Sequence, residues 1–143
     1  MYENDIITGV AELLAAEGVA QWDADGLYTE GGDVAAIYVQ AVPDIARPII
    51  TLTPYPVAGG SSPNDSVLGL QVRTRAEEID PRPVNDLDGR VYAALHGRVG
   101  LSVGGHRVSS ILFQSGAILG QDALERWGRS ANYYITGPRY RRG

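Results

Sequence analysis

The sequence predicts an α+β fold: a mostly antiparallel four- to five-stranded sheet with two main helices packed on one face, in the order α-β-β-β-α-β-β. Three observations carry this. Two stretches repeat apolar residues at helical spacing, one at the start and one past the middle. Short apolar or alternating runs, bounded by Pro and Gly, lie between and after them. These runs are grouped around the helices rather than alternating with them one for one, which argues against parallel βαβ units.

The first helix follows from Ile6, Ile7, Val10, Leu13 and Leu14, with Asn4 or Asp5 to cap it and Gly18 to end it. Turn-forming residues dominate 19–33, where Trp22 reads as a cover for the core edge. Strands are expected at 34–40 and 48–53, separated by Pro43-Asp44 and closed by Pro54-Tyr55-Pro56. Proline donates nothing to a ladder, so both closing prolines belong at a strand end or an edge. Residues 57–66 read as a flexible hairpin loop. In 67–75, Leu68, Leu70 and Val72 alternate with Gln71, Arg73 and Arg75, so one face meets helices and the other meets water or a neighbouring subunit. Asp80-Pro81 opens the second helix, which carries Val84, Leu87, Val91 and Leu95 and stops at Gly97. Gly89 inside it predicts a close approach. A strand at 107–113, a linking segment at 116–128 with one helical turn near 122–127, and a strand at 129–136 complete the chain, before a basic tail at 137–143.

At 143 residues a single domain, 1–143, is expected. Composition excludes several chemistries. There is no cysteine, so disulfides and thiolate metal sites are out. All 12 basic residues are Arg, which removes the lysine of Schiff-base and phosphate-loop chemistry. No apolar run reaches membrane-spanning length, and the acidic start is unlike a signal peptide, so the chain is expected to be made in the cytosol with no membrane partner. Net charge is −5 but uneven: residues 1–88 hold 15 acids and 4 Arg, residues 89–143 hold 2 acids and 8 Arg. A charge-split chain is suited to head-to-tail stacking of copies.

Candidate reactive groups do not assemble into a motif. Gly59-Gly60 lacks the downstream Gly-Lys-Ser/Thr of a phosphate loop, and Gly104-Gly105 precedes a strand rather than the helix N-terminus that a phosphate site needs. His96 and His106 are ten residues apart with no metal-ligand pattern, and no serine lies in a Gly-Xaa-Ser-Xaa-Gly elbow. A triad of His106 with an Asp is not forbidden by sequence. Glu77, Glu78 and Asp80 read as an acidic helix entry. No catalytic residue, cofactor or metal is implied. The tail arginines Arg139, Arg141 and Arg142 read as a salt-bridging arm to a neighbour's acids rather than a nucleic-acid site.

The closing third carries Gly120-Gln121-Asp122, Arg126 and Asn132-Tyr133-Tyr134. This run resembles the C-terminal signature of the tail terminator (minor capsid) proteins of long-tailed bacteriophages. Pro48–Pro56, Leu70–Arg75, Asp86–Gly97 and Gly105-His106-Arg107-Val108 are similar, in order, to that family's earlier elements. Trp127-Gly128 and Leu119 depart from its pattern. The resemblance implies a non-enzymatic virion protein at the head–tail junction, a homo-hexameric ring that caps the tail tube. Its partners would be itself, the major tail tube protein and the head-side connector or stopper, with DNA passing through unbound. Arg73, Arg75, Arg126, Arg129 and Tyr134 are the candidate interface residues. Gly59, Gly60, Ser61, Ser62, Asn64 and Asp65 are the candidate contact loop. A head-side connector is an alternative in the same class; a small enzyme or ligand-binding domain is the alternative outside it.

Overall fold

The computed structural model of the protein describes residues 2–57 and 66–138. Its elements are α1 (Tyr2–Ala16), β1 (Ala20–Gln21), β2 (Ala35–Val39), β3 (Ile49–Pro56), β4 (Ser66–Arg75), α2 (Arg82–Leu95), β5 (Arg98–Val103), β6 (His106–Gln121) and β7 (Trp127–Gly137). The strands form one sheet in the order β1-β2-β3-β4-β7-β6-β5. The α+β class and both helices agree with the sequence reading. The sheet is larger than the expected four to five strands, and it is mixed: β1, β2 and β3 run parallel, the rest antiparallel.

Each difference has a local cause. Pro43-Asp44 separates the two strands as expected, but within a sheet expected to be mostly antiparallel the segment 40–48 runs back so that β3 lies parallel to β2. That segment has few ladder bonds of its own, and two buried arginines serve it. Arg75 donates to the carbonyls of Pro43, Ile45 and Arg47 at 2.9, 2.6 and 3.0 Å. Arg47 donates to Thr29 O at 2.9 Å and to Val34 O, with its guanidinium 5.5 Å from the Tyr28 ring centre. β5 was not anticipated; it pairs with β6 across a two-residue turn at Gly104-Gly105, with φ of 57° and 80°. Two glycines at positive φ are a strong hairpin signal, and that signal was legible.

The expected link at 116–128 is instead the continuation of β6 and the start of β7, with register shifts between Phe113 and Ser115 and between Ile118 and Gly120. The expected helical turn at 122–127 is the hairpin loop. α2 starts at Arg82, with Pro81 at its boundary, one residue later than Asp80-Pro81 suggested; Asp80 Oδ1 still accepts from the first helical amide, that of Arg82, at 2.9 Å. Nothing approaches Gly89, whose missing Cβ would face open space. The close approach lies elsewhere. A Cβ on Gly9 of α1 would fall 2.2 Å from the Gly104 amide nitrogen, so the helix sits backbone to backbone on the β5–β6 turn.

Paired residues share a sheet face. The inner face carries Ile50, Leu52, Leu70, Val72, Tyr133, Ile135 and Ile111, and these pack with Ile6, Val10 and Leu14 of α1 and Leu87, Val91 and Leu95 of α2. Trp22 packs at the edge of this core, as its position predicted. The helices therefore cover one face and leave most of the other open. No helix among the described residues is long and apolar enough to cross a membrane.

Candidate functional site

The open face is built by register. Thr53 and Tyr55 of β3, Gln71 and Arg73 of β4, Asn132 and Tyr134 of β7, and Leu112 of β6 all project from it. Thr53, Tyr55, Gln71 and Asn132 line a shallow hollow of about 300 Å³. The Tyr55 ring lies over Gly69, where a Cβ would come within 2.4 Å of it. Burial, and then the neighbouring Tyr134, push the Tyr55 hydroxyl pKa up. The residues named here include no acid. A face rich in Tyr, Gln and Asn, whose one charge among these residues is Arg73, has the composition of a protein contact surface.

At the end of this face nearer Arg75, a second hollow of about 250 Å³ is lined by Arg73, Arg75, Arg126, Thr51, Val42 and Leu119, among others. Here three of the five candidate interface residues come together, but their states differ. Arg73 is exposed and has no ion-pair partner among the described residues. Arg75 is 6% exposed and spends its donors on the 40–48 carbonyls, with Glu77 at 3.5 Å. Burial, then Arg126, push its pKa down, against the pull of Glu77, Asp122 and Asp44. Arg126 is tied to Asp122 at 2.8 Å, Asp44 at 3.0 Å and Glu77 at 3.6 Å. Arg75 and Arg126 thus serve this chain's own loops.

Arg129 lies on the inner side, donating to Asn85 Oδ1 at 3.0 Å and facing Asp88 at 3.5 Å. Burial raises the Asp88 pKa against the attraction of Arg129. Tyr134 stands on the open face, half-buried, between Gly69 and Leu112. Gly59, Gly60, Ser61, Ser62, Asn64 and Asp65 lie outside the described residues.

The closing signature is a hairpin device. Asp122 Oδ1 accepts from the amides of Leu124 and Arg126, both at 2.9 Å, while the Asp122 amide donates to Arg126 O at 3.0 Å. Gly120 and Glu125 take positive φ, at 84° and 64°. Asn132 Nδ2 donates to Ser115 Oγ at 3.0 Å beside the first register shift, and Tyr133 is fully buried.

Sequence reasoning missed the apolar side chains exposed around this hairpin: Ile118 (66%), Leu124 (61%) and Leu119, with Val42 beside the hollow. The signal was present, since Ile118 and Leu119 are consecutive apolar residues in a stretch read as a link. The histidines hold structure. His96 Nδ1 accepts from the Phe113 amide at 3.0 Å and its ring stacks on Tyr92. His106 Nε2 meets Asp5 Oδ2 at 3.0 Å, but its Nδ1 is buried without a hydrogen-bond partner, so no hydroxyl stands where a triad needs one. No group of three or more potential metal ligands occurs among the described residues.

Comparison with known proteins gives the geometry its context. Among curated proteins nothing matches this chain. A chain from the solved structure "Virion of native gene transfer agent (GTA) particle" shares the fold, with a TM-score of 0.59 at 15% identity, covering 95% of this chain and 90% of that one. The sequence profile of the family described as bacteriophage tail terminator protein matches residues 13–138. Every strand, α2, the open sheet face and the closing hairpin lie inside that match, with only the last residues of α1, and this chain belongs to the bacteriophage tail terminator protein family.

Proposed function

We propose that this protein ends tail growth by closing as a homo-hexameric ring on the finished tail tube, at the head–tail junction of the virion. The ring stops further polymerisation of the major tail tube protein and presents a surface to the head-side connector or stopper. The role is structural, with no reaction and no cofactor. The observation that carries the reading is family membership across 13–138. The structure supports it through its division of labour: one sheet face is covered by helices, while the other stays open, with Tyr55 and Tyr134 on it and Arg73 free to pair across an interface. Cyclic assembly needs two different surfaces that meet head to tail, and an acidic first half with an Arg-rich second half provides complementary charge. The net negative charge lets DNA pass without being held.

Electron microscopy of lysates from a virion gene set lacking this gene tests the proposal. Overlong tails without heads are expected. Normal tails beside filled heads would move the protein to the head-side connector, and intact virions would reject both roles.

A further inference from the structure

The four central strands β3, β4, β7 and β6 leave two stretches of edge open. β2 covers β3 only as far as Leu52. β5 covers β6 only as far as Ile111, and His96 takes the Phe113 amide just beyond. Among the described residues no strand lies on β3 at 53–56 or on the outer edge of β6 at 114–121.

The two edges differ in chemistry. Leu52 O accepts from the Gln40 amide at 3.0 Å, so the Leu52 backbone points away from β4. The two-residue alternation of a strand turns Pro54 and Pro56 the same way. An amide would stand exposed at these positions, and proline has none. This edge offers carbonyls only and is blunted. On β6, Ile111 O accepts from the Gly97 amide at 2.8 Å, so the backbone there points away from β7. Across the first register shift, Gly116 and Ile118 stand opposite Ala131 and Arg129 and present their amides outward in the same way. No charged residue occurs from Val108 to Gln121, and Gln114 to Leu119 are all exposed. A long, neutral, proline-free edge is a feature that sheets suppress unless it is paired.

We propose that the open edge of β6 at Gly116–Ile118 pairs with the proline edge of β3 in a second copy of this chain. The Gly116 and Ile118 amides donate to the carbonyls of Pro56 and Pro54. Three features select a second copy. The proline edge lacks donors and cannot pair with itself, yet its two carbonyls match the two-residue spacing of the β6 amides. Both edges belong to one sheet, so the contact is head to tail and propagates from copy to copy. The neutral β6 run places no charge in the contact, and Ile118 gains cover. The inference rests on the ring reading above and names the contact that closes it.

The absence of cysteine makes the test clean. In this pairing Ala117 lies opposite Tyr55 of the next copy. Particles are assembled from a virion gene set carrying Tyr55→Cys with Ala117→Cys, oxidised mildly and run on a non-reducing gel. The expected result is a ladder at multiples of 15.3 kDa in the double variant and none in either single variant. A particle-bound double variant that stays monomeric overturns the inference. So does a dimer formed by Ala117→Cys alone, which would mean β6 meets β6, or an adduct of another mass, which would give the edge to a different protein. Absence of the wild-type chain from particles would instead reject the ring reading. As a second probe, Ile118→Pro removes an amide that β7 does not use; the variant should keep its far-UV circular dichroism while its incorporation into particles falls at least tenfold. Wild-type incorporation would overturn the inference.

Discussion

Replacing Arg75 by Leu separates a folding role from an assembly role. Arg75 is 6% exposed and donates to three carbonyls of the 40–48 segment at 2.6–3.0 Å. Each bond from a charged donor contributes about 1.5–3 kcal/mol. Pro43 and Ile45 are only half-buried, so water recovers part of what two of these carbonyls lose. Arg47 is buried, and its carbonyl is left without a donor. The expected cost is about 3 kcal/mol, enough to lower the melting temperature by about 10 °C in a domain of this size. Urea unfolding of the isolated chain measures it, with Arg73→Leu as the control; that side chain is exposed and unpaired, so its change should stay within about 0.5 kcal/mol. Limited proteolysis of Arg75→Leu should cut first within 40–48. A loss below about 1 kcal/mol, or equal losses for the two variants, would refute the reasoning that Arg75 holds the crossing segment.

Four further outcomes are expected. Gly89→Ala should stabilise the isolated chain by about 0.5–1 kcal/mol in urea unfolding, because the site is mid-helix and its Cβ meets nothing. Gly9→Ala should destabilise it by about 1–3 kcal/mol, read the same way, because the added carbon collides with the Gly104 backbone. Asp122→Ala should cost about 1 kcal/mol at pH 7, as loss of a capping side chain does. Burial alone would raise the Asp122 pKa, but hydrogen bonds from Arg126 and Leu124 outweigh it and lower it. The wild-type advantage is therefore complete above the unfolded carboxylate pKa and fades as pH falls through the folded value, so urea midpoints of the two proteins should converge only once the pH is below that lowered value. Arg73→Glu should leave melting unchanged and block ring closure, seen as loss of the chain from sedimented particles; normal incorporation would remove Arg73 from the interface.

The parts of the fold set by local chemistry were legible. Apolar periodicity placed both helices, and Gly18 and Gly97 ended them at positive φ as expected. Strict alternation oriented β4, so that Leu70 and Val72 face the core and Arg73 faces outward. The long-range choices were not legible. β3 runs parallel to β2 behind a crossing segment that Arg75 holds, 32 residues from the Pro43 carbonyl it serves. Asp122 and Arg126 read as a helical turn because Asp starts helices as readily as it closes hairpins, and only the Asp122 to Arg126 backbone bond distinguishes them. Of the candidate interface residues, Arg73 and Tyr134 reach the open face, while Arg75, Arg126 and Arg129 engage their own chain. Sequence alternation gives direction but not cover, and the segment 40–48 supplies the cover.

Most of the residues on which the resemblance rests are engaged within their own chain, although Tyr134 stands on the open face. Asp122 closes the hairpin, Arg126 ties it to Asp44 and Glu77, Asn132 holds Ser115 beside a register shift, and Tyr133 fills the core. Each of these contacts is internal. Together they hold β6 against β7 far beyond the reach of β5, and this extension creates an uncharged open edge. A pattern of this kind follows the hairpin that it builds, while the residues proposed to meet neighbours are chemically plain: Gly116, Ala117, Ile118 and one unpaired arginine. Two classes of variant should therefore separate in experiment. Changes at Asp122 or Arg126 should lower melting temperature and assembly together, because the edge is lost with the hairpin. Changes at Arg73 or Ile118 should lower assembly alone, because the fold does not use them.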